Sequence, residues 1–162
     1  MEKSGNKWDI LGMFRGITPI NLDAKGRMAI PTRHRTQLIE DENQIVVTID
    51  TKAPCLLLYP LPEWELIEQK LAALPSFNEA ARRIQRLLIG HATELDIDNN
   101  GRVLLPTVLR TYANLDKKIV LVGQGKKFEI WCHDAWEQAR GNWLDLAKTE
   151  DKLPDELTTL AL

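Results

Sequence analysis

DAKGRMAIPTRHRT, Asp23 to Thr36, is followed 75 residues later by DNNGRVLLPTVLRT, Asp98 to Thr111. At that offset the segments are identical at Asp23/Asp98, Gly26/Gly101, Arg27/Arg102, Pro31/Pro106, Thr32/Thr107, Arg35/Arg110 and Thr36/Thr111, seven of fourteen positions. The likeness runs outward in both directions. Ile20 and Leu22 align with Leu95 and Ile97, the run IVVTID from Ile45 with KIVLVG from Lys118, and Trp64-Glu65 with Trp136-Glu137. The chain is therefore a duplicated unit of about 75 residues, and two copies are too few to stack as a solenoid.

Each copy predicts the same order of elements. An apolar-rich alternating run (ITPINL, then ATELDI) enters Asp-x-x-Gly. Asp suits the first position of a type I turn and Gly accepts positive φ at its end, which predicts a hairpin with a bulge. The chain returns as RMAIP or RVLLP, and Pro31 or Pro106 opens a short helix. Two β-rich runs follow in each copy: IVVTID and CLLLYP, then KIVLVG and FEIWC. Helices close the units over PEWELIEQKLAAL, FNEAARRIQRLLIG and AWEQARGNWLDLAK, the last with Asp134 as its expected cap.

The 162 residues carry a net charge of −2, which argues against indiscriminate coating of nucleic acid. The charge is nevertheless segregated. Between Arg15 and Arg35 stand Arg15, Lys25, Arg27, Arg33 and Arg35 against Asp23 alone, while Glu150, Asp151, Asp155 and Glu156 make an acidic tail, expected to be poorly anchored. The start, MEKSGNKWDILGMF, does not read as a signal peptide, and no apolar run reaches the roughly 18 residues of a membrane span. Cys55 and Cys132 lack a CxxC partner, so a structural zinc site is not expected; they read as small buried hydrophobes in a reduced, cytoplasmic setting.

The repeated motif offers anion recognition. Arg27 and Arg102 follow their turns directly, at the expected tip of a two-stranded ribbon. Such a ribbon fits the DNA major groove, where a guanidinium pairs bidentately with guanine. Lys25 at the tip, with Arg33, His34 and Arg35 on the helix behind it, is suited to phosphates, and Arg15 adds to this cluster. Asp23 and Asp98 shape the turns and Gly26 and Gly101 permit them. The second copy has Asn99-Asn100 for Ala24-Lys25 and Val108-Leu109 for Arg33-His34, so the first is expected to carry more of the binding.

The segments LDAKGRMAIPTRHR and IDNNGRVLLPTVLRTYANL, with a strand pair ending in FEIW and Trp136 after it, resemble the MraZ family of bacterial transcriptional regulators. The resemblance runs from about Phe14 to about Leu146. It implies an α+β fold of two tandem AbrB-like swapped-hairpin β-barrel units with flanking helices, related by a pseudo-two-fold. The units fall at residues 14–75 and 89–149, with a connecting helix at 76–88. Residues 1–13 form an N-terminal extension and 150–162 the tail, both outside the core. It further implies a nucleoid-associated, ring-shaped homo-oligomer that binds short direct repeats in the promoter of the division and cell-wall gene cluster. The family's motif arginines carry over to Arg27 and Arg102 and its basic tip residue to Lys25; Asn100 departs from it.

Other classes fare worse. No HExxH, GxSxG or Walker loop occurs, so no catalytic residue, metal, cofactor or small-molecule substrate is expected. A metal site from Asp23, Asp96, Asp98 and His91 competes poorly with the turn reading of two of its carboxylates. Trp136 and Trp143, seven apart on one helix face, read as core or subunit contact, and Arg82, Arg83 and Arg86 as a solvated or intersubunit face. The rival is an antitoxin-like protein whose main partner is a toxin held by the acidic tail. A third reading is a ring-forming scaffold without a DNA site.

Overall fold

The computed structural model describes residues 13–40, 44–149 and 153–160. The expectations for the N-terminal extension, Met13 apart, and for 150–152 and 161–162 of the tail lie outside the described residues. The chain runs β1 (Phe14–Asn21), β2 (Arg27–Ala29), α1 (Thr32–Glu40), β3 (Gln44–Ile49), β4 (Leu56–Pro60), α2 (Leu61–Ala72) and α3 (Glu79–Ile84), which continues as a π-helical turn over Gln85–Ile89. The second repeat follows with β5 (Thr93–Asp96), β6 (Arg102–Leu104), α4 (Thr107–Tyr112), β7 (Lys118–Gly125), β8 (Phe128–Cys132), α5 (His133–Thr149) and α6 (Asp155–Thr158). It is a mixed α and β fold around an antiparallel sheet.

The strand runs form where predicted, but their pairing corrects the hairpin expected around each turn. β1 does not ladder with β2, nor β5 with β6. A six-stranded sheet has the order β1-β7-β8-β4-β3-β5, and β2 pairs with β6 in a separate two-stranded sheet. Each repeat thus lends its first strand to the β-pair of the other: β1 lies along β7 from Phe14↔Gly125 to Asn21↔Lys118, and β5 along β3 from Gln44↔Asp96 to Val47↔Thr93. The β2–β6 register is centred on Met28↔Val103, a residue facing its own counterpart one repeat on. The flanking pairs, Arg27↔Leu104 and Ala29↔Arg102, exchange under the same operation. Physically, the three-residue strands are too short to bury apolar surface alone, and crossing over lets both repeats close one core.

That core is shared. Met28, Ile30, Leu38, Ile45, Val47, Ile49, Leu56 and Leu58 pack with Val103, Leu105, Leu109, Ile119, Leu121, Phe128 and Ile130 in one cluster. β3 and β7 are near-continuous apolar runs because both their faces are covered. On the second face Val120, Val122, Cys55, Trp131 and Trp136 form a separate cluster beneath α5. On β3, Thr48 Oγ1 donates to the carbonyl of Leu88 in the π-helical turn at 2.7 Å, which satisfies a buried hydroxyl.

The helices show smaller differences. α5 begins at His133, so Asp134 lies inside its first turn and does not cap it, although a carboxylate there still complements the helix dipole. α3 starts later than its apolar pattern because Asn78 Oδ1 caps it, accepting from the backbone N–H groups of Ala80 and Ala81 at 2.9 and 3.2 Å. Trp136 is buried while Trp143 is 47% exposed, and Trp131, Trp136 and Trp143 pack edge to face with centroids 5.7–5.9 Å apart. Cys55 is fully buried and Cys132 half-buried. Among the described residues no helix is long and apolar enough to cross a membrane.

Candidate nucleic-acid interface

The two Asp-x-x-Gly-Arg segments are built alike. In the first, Asp23 Oδ1 accepts from the backbone N–H groups of Lys25 and Arg27 at 2.9 and 2.8 Å, and Asp23 Oδ2 accepts from Arg27 Nε at 2.8 Å. The main chain closes through Gly26 N to Asp23 O and Asp23 N to Arg27 O, both 3.0 Å. Gly26 has φ +87°, a conformation that favours glycine. The backbone N–H of Arg27 is the main influence holding the Asp23 carboxyl below the ordinary range, helped by the Arg27 side chain. In the second turn Asp98 Oδ1 accepts from Asn100 N and Arg102 N, both at 2.9 Å, and Gly101 has φ +76°. The Arg102 N–H lowers Asp98 in the same way.

The arginines differ. Arg102 turns toward the first repeat, with Nη1 3.8 Å from Asp23 Oδ2. Its Nε is shielded from water and has no hydrogen-bond partner among the described residues. One carboxylate, Asp23, therefore faces both motif arginines, which brings the two turns side by side. All three side chains keep about a third of their surface exposed: 31% for Asp23, 31% for Arg27 and 33% for Arg102. Such pairs are weak in water and free to exchange for an incoming anion.

The remaining cations divide between the turns and β1. Lys25 is exposed at the first tip. Arg33, on α1, lays its guanidinium over β1, with Nη2 donating to Thr18 Oγ1 at 2.6 Å and Nε donating to His34 Nε2 at 3.2 Å. Strand alternation puts Arg15 on the face of β1 opposite Thr18, so it does not join Arg33 there. Arg35 turns inward: its Nε donates to the Ile30 carbonyl at 2.8 Å. Arg110 does the same in the second repeat, with Nε donating to the Leu105 carbonyl at 2.9 Å and Nη2 to Thr107 Oγ1 at 3.0 Å.

His34 corrects the phosphate-facing helix expected from RHR. It is 6% exposed and packs between Phe14 and Phe128, with ring centroids 5.7 and 4.9 Å away. Burial, and then the charge of Arg33, push its pKa below the ordinary histidine value. The Arg33 N–H aimed at Nε2 requires that nitrogen to be an acceptor, which agrees with a neutral ring. Two participants escaped the sequence reading as site residues, Thr18 and Arg110. Only Arg110 had a signal, its identity with Arg35 across the repeat.

The family model described as "MraZ protein, putative antitoxin-like" matches residues 13–87 and again 88–153. The transcriptional regulator MraZ of Alkalilimnicola ehrlichii (strain ATCC BAA-1101 / DSM 17681 / MLHE-1) is 61% identical over 151 residues, 93% of this chain and all of that protein. The proteins of that name from Legionella pneumophila (strain Corby) and Coxiella burnetii (strain Dugway 5J108-111) are 59% and 58% identical over 152 and 153 residues, again 93% of this chain and their whole length. With the family model covering both repeats and whole relatives matched at this identity, the chain belongs to the MraZ family.

Proposed function

We propose that this protein is a transcriptional regulator that binds double-stranded promoter DNA in a sequence-specific way. The observation that carries the reading is the pair of glycine-closed turns drawn together on Asp23, with Lys25, Arg27 and Arg102 on one partly exposed surface. Arg27 and Arg102 read base edges, where a bidentate arginine–guanine contact contributes about 1–3 kcal/mol of discrimination. Lys25 and Arg33 contact phosphates, Arg15 adds a phosphate contact from the opposite face of β1, and Arg35 supports the surface of the turns. The exchanged strands fit the swapped-hairpin reading, with units at 14–75 and 89–149 joined by 76–88.

The targets are short direct repeats in the promoter of the division and cell-wall gene cluster, bound in the cytoplasm at the nucleoid by a ring-like homo-oligomer. Exposed Trp143, Leu144 and Leu146 on α5 support self-association. Linking several weak sites on one frame raises avidity by about 10²–10⁴. A titration of wild type and Lys25→Ala against promoter and scrambled DNA at several salt concentrations tests this. Promoter-selective binding that weakens steeply with salt is expected, with a shallower slope for Lys25→Ala. Binding without selectivity or salt dependence refutes the reading and turns attention to a protein partner such as a toxin.

A further inference from the structure

We propose that Arg35 and Arg110 are reciprocal positioning residues, each holding the DNA-facing turn of the opposite repeat. The proposal deepens the DNA-binding reading of those turns and reassigns Arg35, which by sequence alone belongs with the phosphate contacts. Three observations carry it. The first is contact across the repeats. A Cβ built on Gly101 would lie 2.3 Å from Arg35 Cζ, and one built on Gly26 would lie 2.6 Å from Arg110 Cζ. Each guanidinium thus occupies the space that only a glycine in the other repeat's turn leaves open.

The second observation is a shared backbone junction. Ile30, whose carbonyl accepts from Arg35 Nε, gives its own N–H to the Gly101 carbonyl at 2.8 Å. Leu105, whose carbonyl accepts from Arg110 Nε, gives its N–H to the Gly26 carbonyl at 3.0 Å. Arginine, residue junction and opposite glycine therefore form one closed contact set, present twice. The third is the register, in which Met28 faces Val103: the short β2–β6 ladder sets the two turns so that each faces the other repeat's helix.

A fixed guanidinium fork fits such a slot better than a flexible ammonium does. The two glycines then carry a second constraint besides positive φ, since they leave room for the opposite arginine. The consequence is crossed. The strongly cationic first turn, with Lys25 and Arg27, is held through Arg110 by the repeat whose own turn and following helix carry fewer cations. A loss of order of even about 1 Å at a recognition tip weakens a site built for precise contact.

The test uses the full-length protein and the charge-preserving substitutions Arg35→Lys and Arg110→Lys, with Arg35→Gln and Arg110→Gln as a second pair. Amide hydrogen exchange without DNA is read at Lys25–Arg27 and Asn100–Arg102. Substitution at 110 is expected to speed exchange at Lys25–Arg27 and leave Asn100–Arg102 unchanged, and substitution at 35 to do the reverse. Faster exchange only in the same repeat's turn, or in neither turn, overturns the proposal. If a glutamine variant does not fold, the lysine variant of the same position decides.

DNA titrations separate positioning from direct contact. Arg35→Lys is expected to bind promoter DNA about tenfold more weakly with an unchanged salt slope, because charge is kept and the fork is lost. Near wild-type affinity for Arg35→Lys, together with a slope reduced by about 0.9 in Arg35→Gln, identifies a phosphate contact and overturns the proposal. Should wild type itself bind without selectivity, the DNA reading fails, while the exchange pattern still decides whether the crossed contact orders the turns.

Discussion

Replacing Gly26 with alanine tests how the first turn is held, and the cost separates into two parts. At φ +87° an L-residue loses about 1–2 kcal/mol relative to glycine. The new Cβ would meet Arg110 Cζ, Nε and Nη2 at 2.6, 2.7 and 3.0 Å. The end of that side chain is flexible and moves aside, but it then surrenders its hydrogen bond to the Leu105 carbonyl, about 1 kcal/mol for a half-buried pair. Gly26→Ala should therefore destabilise by about 2–3 kcal/mol, or about 4–12 °C in Tm for a chain of this size.

In an Arg110→Ala background only the conformational part remains, so the double mutant should be about 1 kcal/mol more stable than the sum of single effects predicts. Urea unfolding of the four proteins at one fixed concentration measures this, since association shifts apparent stability. Additivity within about 0.3 kcal/mol would refute the crossed packing. A loss well under about 1 kcal/mol for Gly26→Ala alone would refute the turn geometry.

Other outcomes follow from the same contacts. Asp23→Asn retains an Oδ1 that accepts from the turn N–H groups but removes the charge facing Arg27 and Arg102, so it should reduce sequence selectivity more than Asp98→Asn, read by competition titration. Both carboxyls have folded pKa values below their ordinary range. Their contribution to stability is complete above about pH 4, the ordinary Asp range, and is lost as pH falls through the lower folded values, so acid unfolding of the double Asp→Asn variant should be less steep there. His34 has the opposite charge type and the same sign of dependence. Its folded pKa lies below 6.5, so the unfolded chain takes up the proton first and stability falls as pH drops below 6.5. Thermal unfolding between pH 7.5 and 5.5 should show that loss in wild type and a flatter profile in His34→Gln.

Much of the architecture was legible because it was written twice. The recurrence of Asp23, Gly26, Arg27 and Pro31 as Asp98, Gly101, Arg102 and Pro106 marks both turns, and the β-branched runs of β3 and β7 mark the strands buried on both faces. Pairing partners were not legible. A turn with Asp and Gly in place predicts a local hairpin on local grounds, and nothing in its residues says that β2 meets β6 or that β1 meets β7. The choice is made by burial of Met28 against Val103 in a core to which both repeats contribute.

The cation cluster RHR was similarly ambiguous. Adjacent residues on a helix point in different directions, so Arg33 reaches β1, His34 enters the core between two phenylalanines, and Arg35 crosses toward Gly101. Charge in sequence marked a cationic stretch without assigning a separate duty to each side chain.

The central claim is that the paired turns read DNA sequence, and Arg27 is its sharpest point. The direct measurement is binding of wild type and Arg27→Ala to promoter DNA and to the same DNA with its repeats scrambled, at two salt concentrations, after confirming that the variant keeps the wild-type oligomeric size. The account predicts that wild type prefers the promoter and that Arg27→Ala loses about 1–3 kcal/mol of that preference while still binding both DNAs in a salt-dependent way. An unchanged preference in Arg27→Ala would contradict it.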